Sequence, residues 1–327
     1  MIGVLLVHSI GFIGYRNHAQ RLIKIVNNHN NDFELVTIYH PSKNNENKLL
    51  NNDFKKLCDC DAVFIASPND THYEYIQKLI DGSTCKIFCE KPPCVSQDQI
   101  KLLNSLNKDE KERIFFNFNF RFSSINEILT NVIDTNKIGD IIHVKITSSH
   151  GLAFKNSYLN SWRSDGNNNL HNILETVSIH YVDLLNIHFG MICKWNYSPS
   201  NHSKNGTSFD SAHLSLEYVN GITCSIFNTY ASSYLNEILV IGTNGTLLIN
   251  DDSYTINFPR DSFDKNGLFT IPPIQEKNTF DSKEIFEKSL TNSVKFYLDH
   301  IKTKKPFDIS NFESSLLTNS QILNFKN

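Results

Sequence analysis

Lys91 stands where a lysine can do chemistry. It follows the apolar run Lys86-Ile87-Phe88-Cys89 and the carboxylate Glu90, and Pro92-Pro93 comes directly after it. The run reads as a buried strand. Proline fixes φ and removes a donor, so the chain leaves that strand in one direction. In an open parallel sheet, ligands sit beyond the carboxyl ends of the strands. A lysine there supplies a charged hydrogen-bond donor to an oxygen that gains negative charge.

A second constellation is Thr176, His180 and Asp183. A helix of about residues 170–189 is expected from Ile173, Val177, Tyr181, Leu184 and Leu185 on one face. Residues three or four apart share a face, so the three polar side chains would stand together. An imidazole titrates near neutral pH and suits proton transfer. Read alone, a helical histidine beside an aspartate is more commonly a core side chain.

The third is Ser9-Ile10-Gly11-Phe12-Ile13-Gly14, after the apolar run Ile2 to Val7 and before a helical pattern carrying Leu22, Ile25 and Val26. Strand, glycine turn and helix are the context in which a G-x-G-x-x-G pattern binds a dinucleotide. Ser9 replaces the first glycine. Gly11 would admit a pyrophosphate and Gly14 would let helix and strand pack closely. The next strand, Phe33 to Tyr39, ends in His40-Pro41-Ser42-Lys43 rather than in an acidic residue. Nothing there repels a 2′-phosphate, so NAD(P)(H) is expected, with a lean towards NADP. Ser42 and Lys43 are candidate contacts, and Lys43 reads equally as a solvated loop residue.

The elements that carry these residues change character along the chain. Strands at Ala62–Ala66, Lys86–Cys89 and Ile114–Phe118 alternate with helical patterns beginning at His72 and Ser96. That alternation predicts a doubly wound parallel sheet, an α/β Rossmann domain over residues 1–119. After residue 120 the pattern turns to period-two strands, Ile141–Thr147, Ala212–Tyr218, Ile222–Tyr230, Glu237–Ile241, Thr246–Ile249 and Ser253–Phe258, with Asn220-Gly221 as a hairpin signal. An α+β domain over residues 120–327 is expected, ending in an amphipathic helix from Ser289 to Lys302 with Val294, Phe296 and Leu298 as anchors.

The bulk composition narrows the classes. A chain of 327 residues, 40% hydrophobic, is long enough for two domains. A net charge of −3 gives no basic field for nucleic acid or an anionic membrane. No apolar run spans a bilayer, and Met1 to Val7 reads as a strand rather than a leader. Seven scattered cysteines, among them Cys58, Cys60, Cys89 and Cys94, lack metal-site spacing and read as reduced thiols of a cytoplasmic protein. No metal is expected.

Six motifs in order then resemble the Gfo/Idh/MocA oxidoreductases, relatives of glucose–fructose oxidoreductase and inositol dehydrogenase. They are Ser9 to Gly14, Ala66-Ser67-Pro68-Asn69 with His72, Glu90-Lys91-Pro92, Asn119-Phe120-Arg121-Phe122, Trp162-Arg163 with His180-Tyr181-Val182-Asp183, and Ile241 to Thr246. The resemblance implies a Rossmann domain followed by a large open, mainly antiparallel sheet. It implies hydride transfer between a nicotinamide and a secondary alcohol or ketone of a sugar, nucleotide sugar or polyol, with bacterial surface-sugar biosynthesis as a context. His180 becomes the first choice for general base, and Lys91 the group that hydrogen-bonds the same oxygen. Either could move the proton. Ser67, Pro68, Asn69, His72 and Glu90 would line the cofactor, Trp162 and Arg163 would approach it from the second domain, and Arg121 would help close the cleft. Dimers or tetramers through the sheet are expected.

Two departures stand out. Thr176 occupies the position where the family carries an aspartate four residues before the histidine, and Gly166-Asn167-Asn168-Asn169 replaces a glycine run. Thr176 and Tyr230 are expected beside the substrate, and Tyr230 and Tyr234 read equally as sheet-packing aromatics. Three other readings compete: a non-catalytic nucleotide-binding regulatory protein of the same fold, a reductase of a non-sugar substrate, and a structural or interaction protein that uses the open sheet face.

Overall fold

The computed structural model describes residues 7–29, 31–42, 49–166, 172–280 and 282–326. Lys43, most of the Ile2–Val7 run and Asn167–Asn169 lie outside the described residues. The chain divides into two compact units, Met1–Asn119 with Leu290–Leu323, and Phe120–Ser289 with Asn324–Asn327. The segment Leu290–Leu323, which the sequence places with the second domain, thus belongs to the first unit.

In the first unit, β1 (His8–Ile13), α1 (Asn17–Asn27), β2 (Phe33–Tyr39), β3 (Leu50–Asn51), α2 (Lys55–Cys58), β4 (Ala62–Ile65), α3 (His72–Gly82), β5 (Lys86–Glu90), α4 (Gln97–Asn104), α5 (Lys108–Lys111) and β6 (Ile114–Asn117) follow in order. Among the described residues, six strands form one parallel sheet in the order β3-β2-β1-β4-β5-β6. The order reverses between β1 and β4, and such switch points are where α/β sheets bind ligands.

The sequence expectation for the first strand is corrected here. Ser9 to Ile13 are β1 itself, not the turn after it. Pairing with β2 on one side and β4 on the other buries Ile10, Phe12 and Ile13 to 1% exposure or less. Gly11 serves packing: a Cβ there would meet Leu57 Cδ2 at 2.7 Å and Cys60 Sγ at 3.1 Å.

A row of phenylalanines crosses the sheet. Phe12 faces Phe64, Phe64 faces Phe88 and Phe88 faces Phe115, each pair directly in register. Their ring centroids lie 4.6, 4.6 and 5.6 Å apart. Tyr297 comes from the helix α9 (Ser282–Lys302). It sets its ring edge-on to Phe64 and Phe88 at 5.0 and 5.2 Å, and its hydroxyl donates to the Lys86 carbonyl at 2.8 Å. The expected anchors Val294 and Leu298 are buried. Tyr297 is buried between them, whereas Phe296 is half-buried.

The second unit holds α6 (Ser124–Asp134), β7 (Ile141–Ser149), α7 (Asn156–Leu159), α8 (Ile179–Phe189), β8 (Ile192–Ser200), β9 (Ser211–Tyr218), β10 (Thr223–Thr229), β11 (Leu235–Gly242), β12 (Thr246–Ile249), β13 (Ser253–Asn257) and β14 (Ile274–Thr279). Eight strands among the described residues make an open sheet ordered β14-β13-β12-β11-β7-β10-β9-β8. All pairs are antiparallel except β7 with β10. Buried and exposed residues alternate along β9 and β10, as a sheet covered on one face requires. The helix α8 supplies cover, with Tyr181, Val182, Leu184 and Leu185 at 1% exposure or less. The tyrosine hydroxyl donates to Asn236 Oδ1 at 2.8 Å.

The expected single helix over residues 170–189 is also corrected. Leu174–Ser178 form a π-helical turn, and the α-helix begins at Ile179. A π turn bonds i to i+5, so Thr176 and His180 do not keep α-helical spacing; such turns are frequent at functional sites. Among the described residues no helix is long and apolar enough to cross a membrane, and no cluster of three or more His, Cys, Asp or Glu could hold a metal. All seven cysteines are free.

Candidate functional site

The first unit gathers its polar residues at the carboxyl ends of the strands. Lys91 follows β5 and is half-buried. The preceding Glu90 is 8% exposed, and its Oε1 accepts from His18 Nε2 and Asn117 Nδ2, both at 2.7 Å. Ser293 Oγ donates to Asn117 Oδ1 at 2.6 Å, which fixes the amide so that its NH2 points at Glu90. Burial raises the Glu90 pKa, but His18, Asn117 and the charge of Lys91 outweigh it and hold the carboxyl below its ordinary value. Glu90 is therefore an ionised, hydrogen-bonded carboxylate beside Lys91.

The loop after Lys91 is held from two helices. His72, the first residue of α3, is fully buried; Nδ1 lies 2.8 Å from the Pro92 carbonyl and Nε2 3.0 Å from the Ser67 carbonyl. From α10 (Ile309–Asn324), the Asn319 amide pairs with Cys94, accepting from its N–H at 2.8 Å and donating to its carbonyl at 3.1 Å. The expectation that His72 contacts a cofactor is thus corrected. Its ring joins the ends of β4 and β5, and burial lowers its pKa.

At the switch point the turn after β1 is only Gly14-Tyr15-Arg16. Gly14 has φ +103°, and a Cβ there would lie 2.6 Å from the Ala66 carbonyl oxygen, so glycine is required. Arg16 is the N-cap of α1 and makes no side-chain cap bond. The helix N-terminus thus opens the crevice with its backbone N–H groups and Arg16, a fit for an anionic pyrophosphate. One glycine, not three, shapes that turn. Ser9, read as the first position of the fingerprint, lies at the start of β1 and bonds Asp61 Oδ2 through N and Oγ at 2.7 and 2.9 Å. Ile10, Gly11, Phe12 and Ile13 are interior strand residues. Ser67, Pro68 and Asn69 do reach the strand end, where Ser67 Oγ meets Thr71 Oγ1 at 2.7 Å. After β2, Ser42 N and Oγ both lie 3.3 Å from His40 Nδ1.

The second unit contains its own cluster. Phe120 stacks on the His180 ring at 4.6 Å and 22°. Its neighbour Arg121 forks onto Asp183, Nε to Oδ2 at 2.7 Å and Nη2 to Oδ1 at 2.5 Å. With Asp183 unexposed and the arginine side chain 11% exposed, this is a buried ion pair. The fork ties Arg121 to α8. In the π turn, Thr176 Oγ1 meets Tyr230 OH at 2.6 Å and donates to the Asn172 carbonyl at 2.9 Å. Burial raises the Tyr230 pKa, against the pull of Thr176 and the Arg163 guanidinium. Trp162 and Arg163 occupy a 3-10 turn in which the guanidinium lies 4.1 Å over the indole. The next residue, Ser164, accepts from Thr207 N and Ser208 N. Tyr234 is 56% exposed and stands apart from this burial.

Sequence reasoning missed His18, Asn117, Ser293 and Asn319. Only His18, four residues after Gly14, carried a local signal.

The sheet order and the strand-end lysine define a dinucleotide-binding oxidoreductase architecture. Residues 8–118 match the family described as "Oxidoreductase family, NAD-binding Rossmann fold", and residues 128–248 match the GFO/IDH/MocA C-terminal domain. The chain belongs to the Gfo/Idh/MocA oxidoreductases. Glucose-6-phosphate 3-dehydrogenase of Bacillus subtilis is 26% identical over 190 residues, 54% of this chain and 52% of that protein. Inositol 2-dehydrogenase of Rhizobium meliloti is 31% identical over 126 residues, 38% of this chain and 36% of that protein. The matches thus span about half the length of these curated relatives or less. A crystal structure of a myo-inositol dehydrogenase from Corynebacterium glutamicum shares the fold, with a TM-score of 0.73, 18% identity and coverage of 98% of this chain and 95% of that one.

Proposed function

We propose that this protein oxidises a secondary alcohol of a sugar-like substrate, reversibly, with NAD or NADP. The observation that carries the reading is Lys91 at the carboxyl end of β5, one strand from the switch point, beside an ionised Glu90. Bound nicotinamide supplies the hydride acceptor. Gly14, the α1 N-terminus and Arg16 would hold the pyrophosphate, with Ser67, Pro68 and Asn69 at the next strand end. Lys91 would hydrogen-bond the substrate oxygen and stabilise its developing charge. His180, its ring oriented by Phe120, would accept the hydroxyl proton. The absence of an acidic residue after β2, where His40 and Ser42 stand, supports acceptance of NADP.

The relatives named for glucose 6-phosphate and inositol favour a sugar or polyol. Assembly through the open sheet of the second unit belongs to the same reading. The test is the rise of reduced-nicotinamide absorbance with NAD+ or NADP+ against inositols, hexoses, hexose phosphates and nucleotide sugars. Lys91→Ala should lose about 10²–10⁴-fold in kcat; near wild-type turnover would sink the assignment. A second reading, nucleotide binding without turnover, is favoured by the single glycine of the turn and by Thr176 where a carboxylate was expected. Nicotinamide binding with no turnover across that panel would select it.

A further inference from the structure

The turn that leads into His180 is held by a lysine far along the chain. The segment Leu290–Leu323 belongs to the first unit, and at Asn324 the chain passes back to the second. There Phe325 is 4% exposed, and its ring centroid lies 5.7 Å from that of Trp195 in β8. This contact anchors the backbone beside Lys326. The Lys326 Nζ then donates to Glu175 Oε1 in an ion pair that joins residues 151 positions apart.

Glu175 sits inside the π turn Leu174–Ser178. Its side chain is 4% exposed and that of Lys326 19%. Its second oxygen, Oε2, is buried and has no hydrogen-bond partner among the described residues. A carboxylate in such a place depends on its cation, because an unpaired buried charge is strongly unfavourable. Burial lowers the Lys326 pKa to about 8, so the ammonium is still charged at neutral pH.

The polar side chains of the turn divide its anchorage. Thr176 reaches Tyr230, and Ser178 Oγ donates to Asn228 Oδ1 at 2.6 Å, so both tie the turn to β10 and the residue after it. Asn172 Oδ1 accepts from Leu174 N at 2.8 Å where the turn begins. Glu175 ties the turn to the Phe325-Lys326 segment instead. A π turn is rare beside the ordinary α geometry. Reversion to α geometry would turn the residues ahead of α8 by about 100° against His180.

We propose that Lys326 is a positioning residue for the site: by pairing with Glu175 it keeps the π turn in place and so fixes how His180 is presented. The word site rests on the oxidoreductase reading; the anchoring of the turn does not. Lys326 acts through Glu175 and the turn, and not on a reacting atom.

The experiment compares wild type, Lys326→Met, Lys326→Arg and the double variant Glu175→Gln with Lys326→Met at neutral pH. Turnover, thermal melting and the NMR signal of the His180 imidazole are measured, the signal being assigned by its loss in His180→Asn. Lys326→Met should lower kcat about 10–100-fold, as small misplacements caused away from the chemistry do, and leave the KM for NAD(P) unchanged. Lys326→Arg keeps the charge and should recover most of the loss. The double variant buries no charge, so it should melt nearer to wild type than Lys326→Met while its kcat stays low. That split separates positioning from stability alone. A lowered melting temperature with wild-type kcat in Lys326→Met, or wild-type kcat in the double variant, overturns the inference and leaves the oxidoreductase reading standing. Should Lys326→Met fail to fold, the double variant decides by its kcat. If wild type turns over no sugar or polyol, the imidazole signal decides. A shift in Lys326→Met and in the double variant, with none in Lys326→Arg, upholds the anchoring while the oxidoreductase reading falls; an unmoved signal overturns it.

Discussion

The Thr176 hydroxyl meets the Tyr230 phenol at 2.6 Å, joining the π turn before α8 to the residue that follows β10. A carboxylate at position 176 would have been a proton acceptor. A threonine is a fixed hydrogen-bonding partner, and its hydroxyl also bonds the Asn172 carbonyl. Thr176→Val keeps the shape and removes both bonds, leaving a buried phenol short of a partner. Stability should fall by about 1–3 kcal/mol, the cost of an unsatisfied buried polar group. The urea midpoint measures it, and an unchanged midpoint contradicts the bonding described.

Glu90 makes a pH prediction whose sign is set by its partners. Its folded pKa is below the ordinary glutamate value of 4.5. A depressed carboxyl binds its proton more weakly when folded than when unfolded. Its stabilisation is therefore complete above the unfolded pKa and is lost as pH falls through the folded one. Wild type should lose stability on acidification below about pH 4.5, and Glu90→Gln should be less stable at neutral pH with a flatter acid limb. Thermal melts of both proteins across that range test it; parallel curves would show that Glu90 does not contribute.

His180 is a kinetic prediction. Its ring lies on Phe120 at 4.6 Å, so an amide of similar size can replace it without opening the packing around α8. His180→Asn should fold, keep its cofactor affinity and lose about 10²-fold or more in kcat. Retention of full kcat would remove the histidine from the proton path.

Arg121 offers a test that separates architecture from catalysis. Its fork onto Asp183 is buried, and breaking such a pair strands a charge at a cost of about 3–5 kcal/mol. Arg121→Met should therefore depress the melting temperature strongly. The double change Arg121→Met with Asp183→Leu should recover part of the loss. If Arg121→Met instead leaves stability intact and raises the substrate KM, the residue belongs to the site after all.

The parallel sheet was legible because β4, β5 and β6 are short apolar runs bounded by turn residues, and Lys91 was legible because two prolines end its strand. The first strand misled for a related reason. Ser9 to Ile13 read as a glycine turn, and only their pairing with β2 and β4 reveals a strand. Asn117, Ser293 and Asn319 act across distances in sequence that no local pattern reports: Asn319 bonds a residue 225 positions away. The π turn was hidden because one extra residue in a helix leaves its apolar character intact. The return of Leu290–Leu323 to the first unit was hidden for the same reason, since an amphipathic face does not name the surface it covers.

The phenylalanine row through Phe12, Phe64, Phe88 and Phe115 has a consequence for how such a protein can change over time. A slip of one residue in any of these strands would turn a ring to the opposite face of the sheet. The row thus keeps the register of the strands whose tips carry Gly14, Ser67 and Lys91, while taking no part in the chemistry at those tips. Substitutions at the tips can accumulate without disturbing the row, and the row can hold while the tips are rewritten. Inheritance of the scaffold and invention at the site are in this way decoupled within a few residues of each other.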